Sequence, residues 1–554
     1  MKLKRVISIL LAAMLLFSLA GCGGDPATSS PESVGSQVTI PPETVTPTEP
    51  TQPQEPTPSP TEPTEPSKDP VQEPVVPPVE PAAPEITPLR LMQADGYSDH
   101  WDENFRTLAS VGWSELVLME GYPELSAALE QLNAEQAEFA DSFVDEWLPA
   151  AKEALAQSPE FFGGFTASSA YTIQRADSLV LSIREDYDDY TGGVHPNYGT
   201  TGLNFDTASG APLKLEDVLT TTDGLSKLLS DKLQEKYADR LFTDPATALA
   251  GYTTENYTWT LGYQGITFYF SPYELAPYAA GLLTVTVWFD EMPELFRTEY
   301  TLVPEAGYIM ALPDWNEVEF DLDPNDGKRD ILSAATMDSE YGRVYLALTM
   351  NGQEYAEQSW AAFDVQTFLV CVDGRYYLYA ETVGENGFRT MYTYDLSSGT
   401  PVLTSEFEGV GRVTHWGQPL GLQNLNYYEV LNTPVGFDLQ TKCNLLGSKM
   451  AVRSYAVADD GALTALSDVY TLSRDLAPIT SAVPLEVLIL SSNTVETIPA
   501  QTTFAFLRTD NETYVDLMLP DSRECRITIR EIDWTPTING IPEWECFSDL
   551  MYAD

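Results

Sequence analysis

The chain has 554 residues, with 29 basic and 83 acidic side chains and a formal net charge of −54. A field this negative repels nucleic acid and anionic lipid, which removes both as default partners; it leaves solubility, divalent cations or a basic protein as its uses. The length exceeds what one core needs, and a hydrophobic content of 43 % lets most of it fold, so two or more domains are expected.

Residues 1–21 read as a secretory signal. Lys2, Lys4 and Arg5 precede an apolar run from Val6 to Leu19, too short and wrongly flanked for a spanning helix. The run ends in Leu19-Ala20-Gly21-Cys22, which resembles a bacterial lipobox. The resemblance implies cleavage before Cys22, diacylation of its thiol and display on the outer face of the cell membrane, held by lipid alone. Residues 22–90 are Pro, Thr and Glu with almost no large apolar side chains, so nothing there offsets the entropy of ordering. They read as a disordered tether, about 3.1 Å per residue where extended.

Residues 91–303 read as an α+β module. Leu125, Leu129, Leu132, Phe139, Phe143, Trp147, Ala151 and Leu155 recur at helical spacing between Gly121 and Pro159. A strand follows, with Leu179, Leu181 and Ile183 on one face. A second helix starts after Gly224, with Leu225, Leu228, Leu229, Leu233 and Tyr237 on one side. "GITFYF" and "LLTVTVWF" alternate as strands. Residues 304–494 change to short strands and turns and read as all-β; a propeller is one architecture that fits, though no internal period stands out. Two aromatic strands there flank Asn386-Gly387, a hairpin signal. Residues 495–554 alternate compactly and resemble a small SH3-like β-barrel. The expected fold class is therefore multidomain: an α+β module, a β-rich region and a terminal barrel.

"YDDYTGGVHPNYG" (187–199) holds His195, one of only three histidines in the chain. A catalytic or metal-binding histidine needs a partner that orients one ring nitrogen, and Asp186, Asp188 and Asp189 are close in sequence. Gly192, Gly193 and Pro196 are turn-makers, however, and favour a loop-ordering histidine stacked among tyrosines. The whole stretch carries a resemblance. Gly192, Gly193, His195, Pro196 and Asn197, then Asn204, Phe205, Asp206, Gly210, Leu215 and Asp217, and later Tyr273, Glu274, Ala276, Pro277, Tyr278 and Gly281 follow in order the pattern of the extracellular module shared by PdaC-type peptidoglycan deacetylases and RsiV-type anti-sigma factors. Val194 stands where that pattern has alanine. The resemblance implies a non-catalytic envelope module and, through the anti-sigma branch, binding of lysozyme, a basic enzyme that suits the acidic charge. The candidate contact residues are His195, Asn197, Tyr198, Tyr273, Glu274 and Tyr278; plain packing of their loops over the core is the competing role.

"FDLDPNDGKRDIL" (320–332) places Asp321, Asp323, Asn325, Asp326 and Asp330 in one loop, hard oxygen ligands that suit Ca²⁺, although Gly327 falls one residue late for the usual calcium-loop spacing. An acidic turn between strands is the alternative. In an exported chain Cys525 and Cys546 could pair, with buried free thiols as the alternative. No Cys/His metal spacing occurs, no nucleophile elbow, phosphate loop or zinc-protease motif is present, and His100, His195 and His415 lie far apart in sequence, so no resident cofactor and no enzyme is expected. The functional expectation is a lipid-anchored surface protein that binds a wall glycan or a basic protein such as a lysozyme-like hydrolase. The alternatives are an accessory or cryptic wall hydrolase or deacetylase, and a structural spacer.

Overall fold

The computed structural model describes residues 85–552 apart from 161, 314–316, 324–325, 339–343, 361, 417–424 and 474–475. The expected signal segment, Cys22 and the expected tether up to residue 84 lie outside the described residues.

The first sheet is built around a long helix. β1 (Leu91–Trp101) and β2 (Thr107–Leu118) form an antiparallel hairpin, and β2 then runs parallel to β3 (Phe165–Ala176). Parallel neighbours need a long crossover, and α1 (Pro123–Gln157) supplies it. Leu125, Leu129, Leu132, Phe143, Ala151 and Leu155 are buried against the sheet at the spacing the sequence predicts, with Phe139 and Trp147 partly buried beside them. Asn133 fixes the helix to β2: its side chain accepts from Leu116 N at 3.0 Å and donates to Leu116 O at 2.9 Å. β4 (Val180–Tyr190) and β5 (Asn197–Asp206) complete this side of the sheet as antiparallel neighbours.

β4 separates two cores. Leu181 and Ile183 join Leu129 and Leu132 of α1 in one, while Val180 joins a second core with α2 (Leu225–Tyr237) and the sheet β6 (Thr258–Leu261), β7 (Gly265–Phe270) and β8 (Leu283–Trp288). β5 lies so close to β6 that a Cβ on Gly202 would sit 1.8 Å from Trp259 O, which is why glycine stands there. Asn204 joins the two layers, donating to Trp259 O at 2.9 Å and accepting from the Ser182 hydroxyl at 2.6 Å.

The β-rich region is a stack of sheets. β10 (Glu317–Phe320), β11 (Asp330–Asp338), β12 (Val344–Met350) and β13 (Gln353–Trp360) form one meander. β9 (Tyr308–Ala311), β14 (Asp364–Val372), β15 (Arg375–Val383), β16 (Arg389–Asp395) and β17 (Val402–Glu408) form a second sheet, in which β15 and β16 are the hairpin predicted around Asn386-Gly387. Leu369, Leu378 and Tyr392 face the core shared with the meander; Phe368, Val370, Tyr377 and Tyr379 face the core shared with Phe437, Leu439 and Tyr455. Burial on both sides explains why "RYYLYAETV" does not alternate polar and apolar.

The propeller and the SH3-like barrel are both corrected. Among the described residues the sheets stack as open layers and none closes on itself. Strands 503–528 pair through Tyr470–Leu472 with Lys449–Val457 and Val435–Cys443, forming one eleven-stranded sheet that runs across the expected boundary at 494/495. The strands Thr414–Trp416 and Asn426–Glu429 turn back and extend β1, so the boundary at 303/304 is also bridged. The expected Cys525–Cys546 bridge is corrected too. Both are free buried thiols, as are Cys371 and Cys443. Cys525 points from its strand into the terminal core, and the Cys546 thiol contacts Ile541 O at 3.8 Å. Burial pushes the Cys525 thiol up to about 12 and the Cys546 thiol up to about 11, which makes both poor nucleophiles.

Candidate functional site: an aromatic ledge

β4 and β5 are in register from Asp189↔Asn197 to Val180↔Asp206, so the loop between them is short and projects from the sheet end. Gly192 and Gly193 turn it with φ of 104° and 115°, a region that side chains avoid. The loop carries His195 over a second segment, Ser271–Gly281. The His195 ring stacks on Tyr278 with centroids 3.8 Å apart and a 25° tilt, and lies 6.5 Å from Tyr273. Tyr198 meets Tyr278 edge-on at 5.1 Å. One neutral tautomer satisfies both polar contacts: Nδ1–H donates to Pro196 O at 2.9 Å, and Nε2 accepts from the Tyr273 hydroxyl at 3.3 Å.

Tyr273 is the exposed member. Its side chain is 58 % exposed and its backbone φ is +68°. A bulky residue in that region costs about 1–2 kcal/mol, and here the turn holds it there through Tyr273 N to Ala276 O at 2.9 Å.

The carboxylates divide into two roles. Glu274, a sequence-predicted contact, turns away from solvent, accepting from the Tyr252 hydroxyl at 2.8 Å and from Ser271 N at 3.0 Å. Burial raises its pKa, and its work is to brace the loop beneath Tyr273. Asp188 and Asp189 follow each other on β4 and point to opposite faces, and Asp188 is the one whose charge reaches Tyr278. Asp188 accepts from the Ser168 hydroxyl, and Asp189 accepts from the Asn197 amide at 3.3 Å with its pKa raised chiefly by burial. The Tyr278 hydroxyl is raised first by burial, then by Tyr273 and Asp188. The ledge is thus a patch of stacked rings with Asp188 beside it. The rest of the motif is scaffold: Asp206 caps its turn through Ser209 N at 2.8 Å, Asp217 accepts from Lys214 N at 2.9 Å, and a Cβ on Gly210 would meet Glu124 O at 2.4 Å.

The acidic loop does not converge in the same way. Asp321 pairs with Arg329, whose Nη2 also donates to Asp290 at 2.6 Å and whose guanidinium lies 4.5 Å over Trp288. Asp326 accepts from Lys328 N at 2.8 Å, and Asp330 from Leu322 N at 3.1 Å and the Asn351 amide at 2.8 Å. Asp323 is exposed in the same loop, and Asn325 lies outside the described residues. Among the described residues no group of three or more His, Cys, Asp or Glu is placed to hold a metal ion. His100 is remote from the ledge in sequence and contacts the Ser98 hydroxyl at 3.2 Å. The Tyr273 backbone strain, the strongest mark of the ledge, has no sequence signal, because tyrosine does not announce a left-handed φ.

No curated protein matches the chain. Solved structures similar to it include two of the DUF3298 family. A DUF3298 family member from Bacteroides fragilis has 21 % identity, covers 38 % of this chain and 95 % of its own, and gives a TM-score of 0.31. A DUF3298 family protein from Pseudomonas aeruginosa has 16 % identity, covers 38 % of this chain and 96 % of its own, and gives a TM-score of 0.27. Residues 216–290, which include Tyr273, Glu274 and Tyr278 but stop short of His195, match the family model described as "Protein of unknown function (DUF3298)", so the chain carries a DUF3298 domain there.

Proposed function

We propose that this chain is a non-catalytic, lipid-anchored surface protein that binds a wall-associated ligand on the ledge formed by His195, Tyr198, Tyr273 and Tyr278. The observation that carries the reading is Tyr273, held at φ +68° and 58 % exposed on a stack of rings beside Asp188. Stacked tyrosine faces attract cationic side chains, and nearby carboxylates add to that attraction. The chain's net charge of −54 steers a basic partner toward it. A basic protein such as a lysozyme-like hydrolase therefore suits the ledge best, and a wall glycan stacked on the same rings is the second reading. The signal segment and Cys22 support export and anchoring, and the Pro-rich stretch supports a spacer role for residues 22–90.

The test uses the soluble chain of residues 23–554, with lysozyme and purified peptidoglycan as separate probes at low and high salt. Lysozyme is expected to bind and to weaken as salt rises. Tyr273→Ala is expected to weaken it about tenfold, or about 1.4 kcal/mol, at an unchanged melting midpoint. Equal binding by wild type and Tyr273→Ala removes the ledge as the contact surface. Peptidoglycan binding that ignores salt and needs Tyr273 selects the glycan reading.

A further inference from the structure

A cleft of about 310 Å³ opens where β1, β3 and the Asn426–Glu429 strand meet β9 and β14. No ledge residue lines it, and this inference does not rest on the ledge. Its size is at the lower end of the ~300–1,000 Å³ range of small-molecule sites, and its place between two layers of a multidomain chain is where such sites form.

The polar groups at its wall are fixed in advance. Asp95 accepts from the Ser114 hydroxyl at 2.7 Å and from the Tyr428 hydroxyl at 3.0 Å, which leaves lone pairs on both oxygens. Gln93 donates to Tyr171 O at 3.0 Å, which leaves its carbonyl oxygen as an acceptor. Gln366, half-buried on β14, spends one amide proton on Thr367 O at 3.3 Å. Asp364 is exposed at the rim, and Met310 adds apolar surface. The cation at the wall is Arg412, which is held in place: its backbone N donates to Glu381 at 2.6 Å and its Nε at 2.5 Å, with the guanidinium 4.2 Å over the Tyr428 ring, and Glu381 is shared with Arg389 at 2.9 Å. Asp95 and Asp364 on the same wall repel an anion. The wall instead offers carboxylate and amide oxygens as acceptors, amide N–H donors, and an apolar patch. That is the complement of a neutral polyhydroxylated ring, whose hydroxyls donate to carboxylates and amides while its C–H face packs on apolar surface.

We infer that this cleft binds one short unit of a neutral saccharide, with Asp95 and Gln93 accepting sugar hydroxyl protons and Gln366 orienting the ring. The experiment is calorimetric titration of the soluble chain of residues 23–554 with three disaccharides (diacetylchitobiose, cellobiose and maltose), and with inorganic phosphate and Ca²⁺ as contrasting probes. At least one disaccharide is expected to saturate in the millimolar range or tighter, and phosphate is not. Gln366→Leu and Asp95→Ala are expected to weaken it about fivefold each, the loss of one hydrogen bond, while Tyr273→Ala leaves it unchanged. The two positions differ in burial, so a folding defect at half-buried Gln366 leaves exposed Asp95 as the reporter. Absence of saturation by all three sugars at tens of millimolar overturns the proposal. So does saturation by phosphate or Ca²⁺ instead, or sugar binding that survives both substitutions.

Discussion

Between β4 and β5 a histidine meets a tyrosine 78 residues further along the chain. Between β10 and β11 a run of acids meets mostly its own backbone and one arginine. Both loops concentrate polar side chains, and both read in the sequence as places for chemistry. The first becomes a surface because a second, independently anchored segment is brought under it: Tyr273 and Tyr278 arrive on a turn braced by Glu274 and Tyr252. The second becomes a tie, because Arg329 spends its charge on Asp321 and Asp290 and its plane on Trp288. Local density of functional groups does not make a site; convergence of separate segments onto solvent does.

The contrast breaks most visibly at Arg329. Arg329→Ala leaves Asp321 without its counter-ion, and Asp321 Oδ1 is already buried without a hydrogen-bond partner among the described residues. The expected loss is about 2 kcal/mol by denaturant titration, less than for a fully buried pair because Arg329 is part exposed. Ledge binding should be untouched, since a tie and a surface are separate. Millimolar Ca²⁺ should stabilise the wild-type chain by less than about 0.5 kcal/mol, because Arg329 already occupies the acids; a larger shift would restore the calcium reading of the loop.

His195→Ala should cost about 1 kcal/mol, the stacking on Tyr278 together with the hydrogen bond that orders the loop. A large stability loss with affinity unchanged per folded molecule would reduce His195 to a loop-former and move the ledge onto the tyrosines. Tyr273→Gly tests the strain itself. Glycine tolerates φ +68°, so the substitution should leave the midpoint unchanged or raise stability by up to about 1 kcal/mol while binding falls. A clear loss of stability would show that Tyr273 packs rather than presents.

The smallest effect is in pH. Burial raises the Glu274 pKa above its ordinary 4.5, so the folded state holds the proton more tightly than the unfolded chain. Its favourable contribution is full below 4.5 and is lost as pH rises through the raised value. Glu274→Gln should flatten that slope in a pH series of melting curves. An unchanged slope assigns it to Asp189 or Asp321, which burial raises in the same direction.

Much of the fold was legible because it is written at short range. The repeat from Leu125 to Leu155 sets α1, the alternation in Gly265–Phe270 and Leu283–Trp288 sets β7 and β8, and Asn386-Gly387 sets the β15–β16 hairpin. Gly192, Gly193 and Pro196 marked the loop that carries His195. By itself the sequence determined the type of those segments, because periods of 3.6 and 2 and left-handed glycines are local properties. Only the tertiary structure decided what those segments join. It placed Asn426–Glu429 on the edge of β1, carried one sheet across residue 494, kept Cys525 and Cys546 apart as thiols, and turned Glu274 inward while leaving Tyr273 in solvent. An edge strand presents the same N–H and C=O groups to any partner of matching length, so the choice among partners rests on which faces must be buried together, and that is settled by the whole chain at once.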